Sequence, residues 1–172
     1  KLYEQNIAET REMVKIAHAF GATVEGEIGH VGEAAKEDNL LTDMYTTPEE
    51  AKAYLEATGV DALAVAIGSA HGVYKKKPML NIERLKEISS AVKVPLVLHG
   101  GSGLSDDDFK NTIRNGIAKV NIFTDLCLAG ERAMTDGEEK KLGYLETRNL
   151  KVEYIKEAVK HKMTLFGSVN KA

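Results

Sequence analysis

The sequence predicts a parallel α/β fold, on three observations. Short apolar runs alternate with helical patterns along the whole chain. Two of those runs, 62–67 (ALAVAI) and 95–98 (PLVL), are apolar at every position, as strands covered on both faces are. Each strand run then ends in glycine or polar residues, at the strand end where parallel folds gather their chemistry.

The elements follow in order. A helical pattern near 2–20 precedes a first strand at 22–28 (ATVEGEI). Thr47-Pro48-Glu49-Glu50 reads as a capping box with proline in the first turn, opening a helix that stops at Gly59. After strand 62–67, Ile82, Leu85 and Ile88 recur at helical spacing over 82–91, with Asn81 as the cap. Strand 95–98 leads to Ser105 and three aspartates, which suit the positive end of a helix over 105–115 that halts at Gly116. Strand 118–122 (AKVNI) follows. A last helix near 144–162 sets Val152, Ile155 and Val159 on one stripe. The order is α-β-α-β-α-β-α-β-α, with no linker, low-complexity tract or close repeat.

Composition bounds the function. With 172 residues, 43% apolar and 28% charged, the chain suits about one globular domain. A net charge of -3 gives no general attraction for nucleic acid or an anionic membrane, and no apolar run approaches the ~20 residues of a membrane span. The single cysteine, Cys127, excludes an intrachain disulfide framework and fits a reducing cytoplasm. The first residues lack both an initiator Met and the apolar core of a signal peptide, so the chain is expected to begin inside a larger unit of a cytoplasmic protein.

His71 and His99 each follow a buried strand, on adjacent units, and each precedes glycine. Two imidazoles so placed suit Zn²⁺, whose catalytic sites take three protein ligands and leave one position open; the plainer alternative is two hydrogen-bonded structural histidines. Gly100-Gly101-Ser102 and Asn121 to Thr124 occupy the last two strand-to-helix loops, where bare backbone can approach an anion, although glycine runs are commonly plain turns. Glu27 faces the same mouth as a metal ligand, a partner of a histidine, an acid–base group, or an exposed rim glutamate. The loop 33–39, with Glu33, Glu37 and Asp38, reads as a lid or as solvated charge. His18 and His161 read as surface residues, and His30 is ambiguous.

Together the blocks "VEGEIG", "AVAIGSAHG", "VPLVLHGGSGL", "GIAKVNIFTD" and the closing "FGSV" resemble the class II, zinc-dependent fructose/tagatose-bisphosphate aldolases, across essentially the whole chain. The resemblance implies a (β/α)8 TIM barrel, of which this chain would supply about the last four β/α units, as the C-terminal portion (residues 1–172) of a single domain. It implies His71 and His99 as zinc ligands, with Glu27 near an alternative metal position. Gly72, Gly100, Gly101, Ser102, Asn121, Ile122, Phe123 and Thr124 would hold the dihydroxyacetone-phosphate part of the substrate. Lys75 matches a phosphate-side basic residue of some members. The implied cofactors are Zn²⁺ and a monovalent cation, and the implied partners are small sugar phosphates and further copies in a homo-dimer or homo-tetramer.

Two departures accompany the match. The family's Asp-His pair, which supplies the catalytic aspartate and a third zinc-ligand histidine, does not occur in this chain. The mobile loop, often Gly-Gly-x-Glu-Asp in the family, reads Gly32-Glu33-Ala34-Ala35-Lys36-Glu37-Asp38, which makes Glu37 the candidate acid–base group with Glu33 behind it. Phe123 stands where some members have a small or acidic residue, so a contact there would use backbone. The competing expectations are a non-catalytic sugar-phosphate-binding or assembly module derived from the barrel, and a different metal-dependent barrel enzyme such as a hydrolase. The sequence does not separate fructose from tagatose bisphosphate.

Overall fold

The structure is a computed structural model and describes residues 2–29, 32–33, 45–72 and 78–171. His30, Glu37, Asp38 and Lys75 lie outside the described residues. In chain order the elements are α1 (Tyr3–Ala19), β1 (Glu25–Ile28), β2 (Gly32–Glu33), α2 (Pro48–Thr58), β3 (Ala62–Val65), β4 (Ala70–His71), α3 (Ile82–Ala91), β5 (Leu96–Leu98), α4 (Asp106–Arg114), β6 (Ile117–Val120), α5 (Thr124–Glu139) and α6 (Tyr144–Leu165).

The helix starts follow their caps. Thr47 and Glu50 close a reciprocal capping box, Ser105 and Asp108 close another, and Asn81 accepts from the Arg84 amide at 2.9 Å. Gly59, at φ 71°, ends α2 in the left-handed region that glycine favours.

The first strand begins later than the pattern suggested. The Val24 carbonyl and amide are taken by the Asp61 turn, so sheet pairing starts at Glu25. The last strand is 117–120 rather than 118–122, because the chain after Val120 turns into α5. That helix is absent from the sequence reading. Its inner face is Ala129, Gly130, Ala133 and Gly137, small residues that give no bulky apolar stripe. They instead let α6 pack closely: a Cβ on Gly137 would lie 2.8 Å from Thr147.

Four strands form one parallel sheet in the order β1-β3-β5-β6, and β2 pairs with β4 in a separate parallel ribbon. Parallel pairing brings all four carboxyl ends to one rim. Leu63, Val65, Leu96 and Leu98 point to the helical side, where they pack with Tyr54, Leu85, Ile88 and Phe109. Burying each such side chain stabilises the fold by about 1.5–3 kcal/mol.

The other face follows from register. Glu25 pairs with Ala62, Glu27 with Ala64, Ala64 with Val97, and Val97 with Lys119, so these residues share a side. Lys119 Nζ nevertheless reaches Glu25 Oε2, at 2.7 Å, from the opposite edge strand. Three strand spacings in a flat sheet are roughly 14 Å, which a lysine and a glutamate side chain do not span comfortably. The sheet is an arc with this face concave, as in part of a (β/α)8 barrel.

Thr46 clips the rim together. Fully buried, it donates its hydroxyl to the Ile28 carbonyl at 3.0 Å and accepts from the Ala66 amide at 2.9 Å, joining the ends of β1 and β3.

Candidate functional site

β3 and β5 carry the two histidines to the rim. His71 ends the short β4, whose pairing with β2 holds it just beyond β3. His99 lies one residue past β5. Their ring centroids are 6.1 Å apart with planes inclined at 51°.

The glycines explain this approach in a way the sequence left open. Gly100 has φ +65°, and a Cβ there would sit 2.5 Å from the Ala70 carbonyl oxygen, so the loop bearing His99 lies directly on the loop bearing His71. Gly101 is pressed in turn against Val120 and Asn121. Three strand-end loops therefore stack on one another at the rim. A Cβ on Gly72, at φ +98°, would meet nothing within 4 Å among the described residues.

His99 is mostly shielded, with its side chain 13% exposed, and is flanked by two carboxylates. Its Nε2 is 2.9 Å from Glu25 Oε1 and its Nδ1 is 3.4 Å from Glu27 Oε2. Hydrogen bonding to Glu27 raises the imidazole pKa, burial lowers it, and Glu25 raises it again, so the net direction is upward. Burial pushes the Glu25 carboxyl up, but Lys119 and His99 outweigh it and hold the group below its ordinary value. Lys119 also donates to Asn121 Oδ1 at 2.8 Å.

Ser102, buried in the β5–α4 loop, accepts the backbone N–H of Phe123 at 3.2 Å and of Asp125 at 3.3 Å. It thereby joins the two loops expected to hold an anion. The Phe123 side chain is 76% exposed, and its carbonyl accepts from Leu126 and Cys127. A contact from the Phe123 amide to a ligand needs its bond to Ser102 to open. Ile122 packs against the core, and Thr124 is the first residue of α5.

Of the expected site residues, the structure brings His71, His99, Glu27, the Gly100-Gly101-Ser102 loop and Asn121 to one rim. Two imidazoles and a carboxylate are donor types that zinc accepts, and rings sharing one tetrahedral ion through bonds of about 2 Å have centroids roughly 5 Å apart. At 6.1 Å the pair stands somewhat wider than that, so the rings would draw together around a shared ion. Among the described residues no group of three His, Cys, Asp or Glu is placed to share a metal, so a site of this kind needs a further donor. Ser69 Oγ, two residues before His71, is buried with no partner among the described residues.

Sequence reasoning passed over Glu25 and Lys119. Their signal was a charged side chain inside otherwise apolar parallel strands, at "EGE" and "AKV".

The chain is similar to known proteins over nearly all its length. The sequence profile described as Fructose-bisphosphate aldolase class-II matches residues 1–171. The protein YdjI of Escherichia coli (strain K12) is 47% identical over 171 residues, covering 99% of this chain and 61% of that protein. A protein named fructose-bisphosphate aldolase from Staphylococcus aureus (strain Mu50) is 39% identical over 175 residues, covering 99% and 60%. Among solved structures, the YdjI aldolase superposes with a TM-score of 0.85 at 42% identity, over 99% of this chain and 59% of that one. A putative fructose-1,6-biphosphate aldolase from Coccidioides immitis gives 0.85 at 32% identity, over 99% and 61%. The chain thus spans about three fifths of the length of these relatives. No described helix is long and apolar enough to cross a membrane.

Proposed function

Starting from the fact that this chain belongs to the class-II fructose-bisphosphate aldolase family, we propose that it is the C-terminal portion (residues 1–172) of a single barrel domain whose intact form is a zinc-dependent aldolase. The reaction is reversible cleavage of a ketose 1,6-bisphosphate, of fructose or tagatose, to dihydroxyacetone phosphate and glyceraldehyde 3-phosphate. The observation that carries the reading is the convergence of His71 and His99 at 6.1 Å on the rim, beside stacked glycine loops.

His71 and His99 would hold the ion, with Glu27 as an alternative or neighbouring donor. Bound zinc supplies a Lewis acid that polarises the substrate ketone and offsets the negative charge developing beside it. Gly72, Gly100, Gly101 and Ser102, with Asn121 to Thr124, take the phosphate and so fix the substrate before bond cleavage. Glu37 is the proposed mobile acid–base group. The remaining zinc ligand and the catalytic aspartate come from outside this chain, which alone has little or no turnover. A monovalent cation and assembly into a homo-dimer or homo-tetramer complete the proposal.

Activity of the intact protein on both bisphosphates, before and after chelation and with Zn²⁺ restored, tests it. The expected result is loss on chelation and recovery on reloading. Undiminished cleavage in a metal-free preparation overturns it.

A second reading has its own observation. Both ring nitrogens of His99 face carboxylates, and no three-donor group occurs among the described residues. That arrangement suits a sugar-phosphate-binding or assembly module without turnover. Retained binding of a phosphate ester with no aldol cleavage by the intact protein favours it.

A further inference from the structure

The concave face carries Glu25, Glu27 and Lys119 in strands that are otherwise apolar or small. These side chains are partly open to water, so a fixed geometry among them depends on how they pair. Here the pairing is directional. Glu25 uses both carboxylate oxygens: Oε1 faces His99 Nε2 at 2.9 Å and Oε2 accepts from Lys119 Nζ at 2.7 Å. The same ammonium reaches Asn121 Oδ1 at 2.8 Å.

An ionised carboxylate only accepts, so the nitrogen facing Glu25 at hydrogen-bond distance carries a proton, which leaves Nδ1 as the nitrogen that would give up its own contact to an ion. Glu27 stands on that second side, farther off at 3.4 Å. One side of the ring thus has a close, fixed partner, and the other has a more distant carboxylate that an ion would displace.

We propose that Glu25 is a positioning residue, braced by Lys119, that holds His99 through Nε2 so that Nδ1 faces the ion, and that Lys119 links this ring to Asn121 in the phosphate loop. The proposal rests on the metal-dependent reading above. It adds that the ion's ligand and the substrate's loop share one chain of hydrogen bonds, so a change in either is felt by the other.

The test uses the intact protein and Zn²⁺ alone as the probe, titrated in competition with a chromophoric chelator. Glu25→Ala is expected to weaken zinc binding by about 10–100-fold, as loss of such partners does elsewhere. Glu25→Gln keeps an acceptor and is expected to lose less; it also serves if the alanine variant does not fold. Lys119→Met is expected to weaken zinc binding, and Glu25→Gln/Lys119→Met to be no weaker than the worse single variant, because the two act in series. Ring-nitrogen NMR of His99 in the zinc-loaded protein is expected to show a protonated Nε2, with that signature lost or mixed in Glu25→Ala, a change that a merely structural role would not produce.

An unchanged zinc dissociation constant in a folded Glu25→Ala variant overturns the proposal. Multiplying losses in the double variant overturn the role of Lys119. A wild-type protein that binds no zinc overturns the metal-dependent reading itself, and the two failures are told apart by that first measurement.

Discussion

Lys119 and Glu25 meet at 2.7 Å from opposite edges of a four-stranded sheet, and their ion pair runs as a chord across its concave side. The lysine is 53% exposed and the glutamate 27%, so water screens the attraction. Lys119→Ala is expected to lower unfolding free energy by less than about 1 kcal/mol, in the range of exposed pairs. Urea denaturation measures it. A loss of several kcal/mol would make the pair a structural clamp and remove the reason to assign it a role in the site.

Gly100 and Gly72 both have positive φ but differ in surroundings. Alanine at position 100 meets the Ala70 carbonyl at 2.5 Å, whereas alanine at 72 meets nothing within 4 Å among the described residues. Gly72→Ala is expected to carry the left-handed backbone cost, about 1–2 kcal/mol. Gly100→Ala adds a clash with backbone and is expected to cost clearly more, or to separate the two histidine loops. Parallel denaturation curves decide, and equal losses contradict the stacked-loop account.

Thr46→Val keeps shape and removes a buried hydroxyl that serves two strand ends. The Ala66 amide loses its side-chain acceptor and the Ile28 carbonyl its donor, for an expected loss of about 1–3 kcal/mol. Amide exchange at Ala66 should accelerate in step. A neutral substitution would show that neither strand end depends on it.

Asp61 gives a pH dependence with a definite sign. Its Oδ2 faces His18 Nε2 at 2.9 Å and accepts the Val24 amide at 2.7 Å, and these bonds hold its pKa below the ordinary 3.8. A carboxyl depressed on folding adds stability above its unfolded pKa and loses it as pH falls through the folded pKa. Asp61→Asn is therefore expected to melt below wild type at pH 7, with the gap closing on acidification past 3.8. Melting temperatures across that range test it. A gap that holds or widens in acid contradicts the assignment.

Much of this architecture was legible in the residues. Thr47 with Glu50 and Ser105 with Asp108 announced helix starts, and the unbroken apolar runs before His71 and His99 announced buried parallel strands. The approach of those two histidines was legible only as an expectation, because it depends on Gly100 lying against Ala70, a contact between loops some thirty positions apart. Glu25 and Lys119 were not legible as partners. Ninety-four positions separate them, and only the curvature of the sheet brings them together. α5 was missed because alanine and glycine make its buried face, where local pattern looks for bulk.

Ala62 and Ala64 leave β3 without bulk on the concave side, and that is what lets a lysine and a glutamate stretch over it from either flank. Drift at this strand is squeezed from two directions. Leu63 and Val65 tolerate exchange among shapes of equal volume, while the alanines tolerate almost no enlargement. A saturation map of β3 would thus alternate between two kinds of intolerance, one guarding oil and the other guarding empty room.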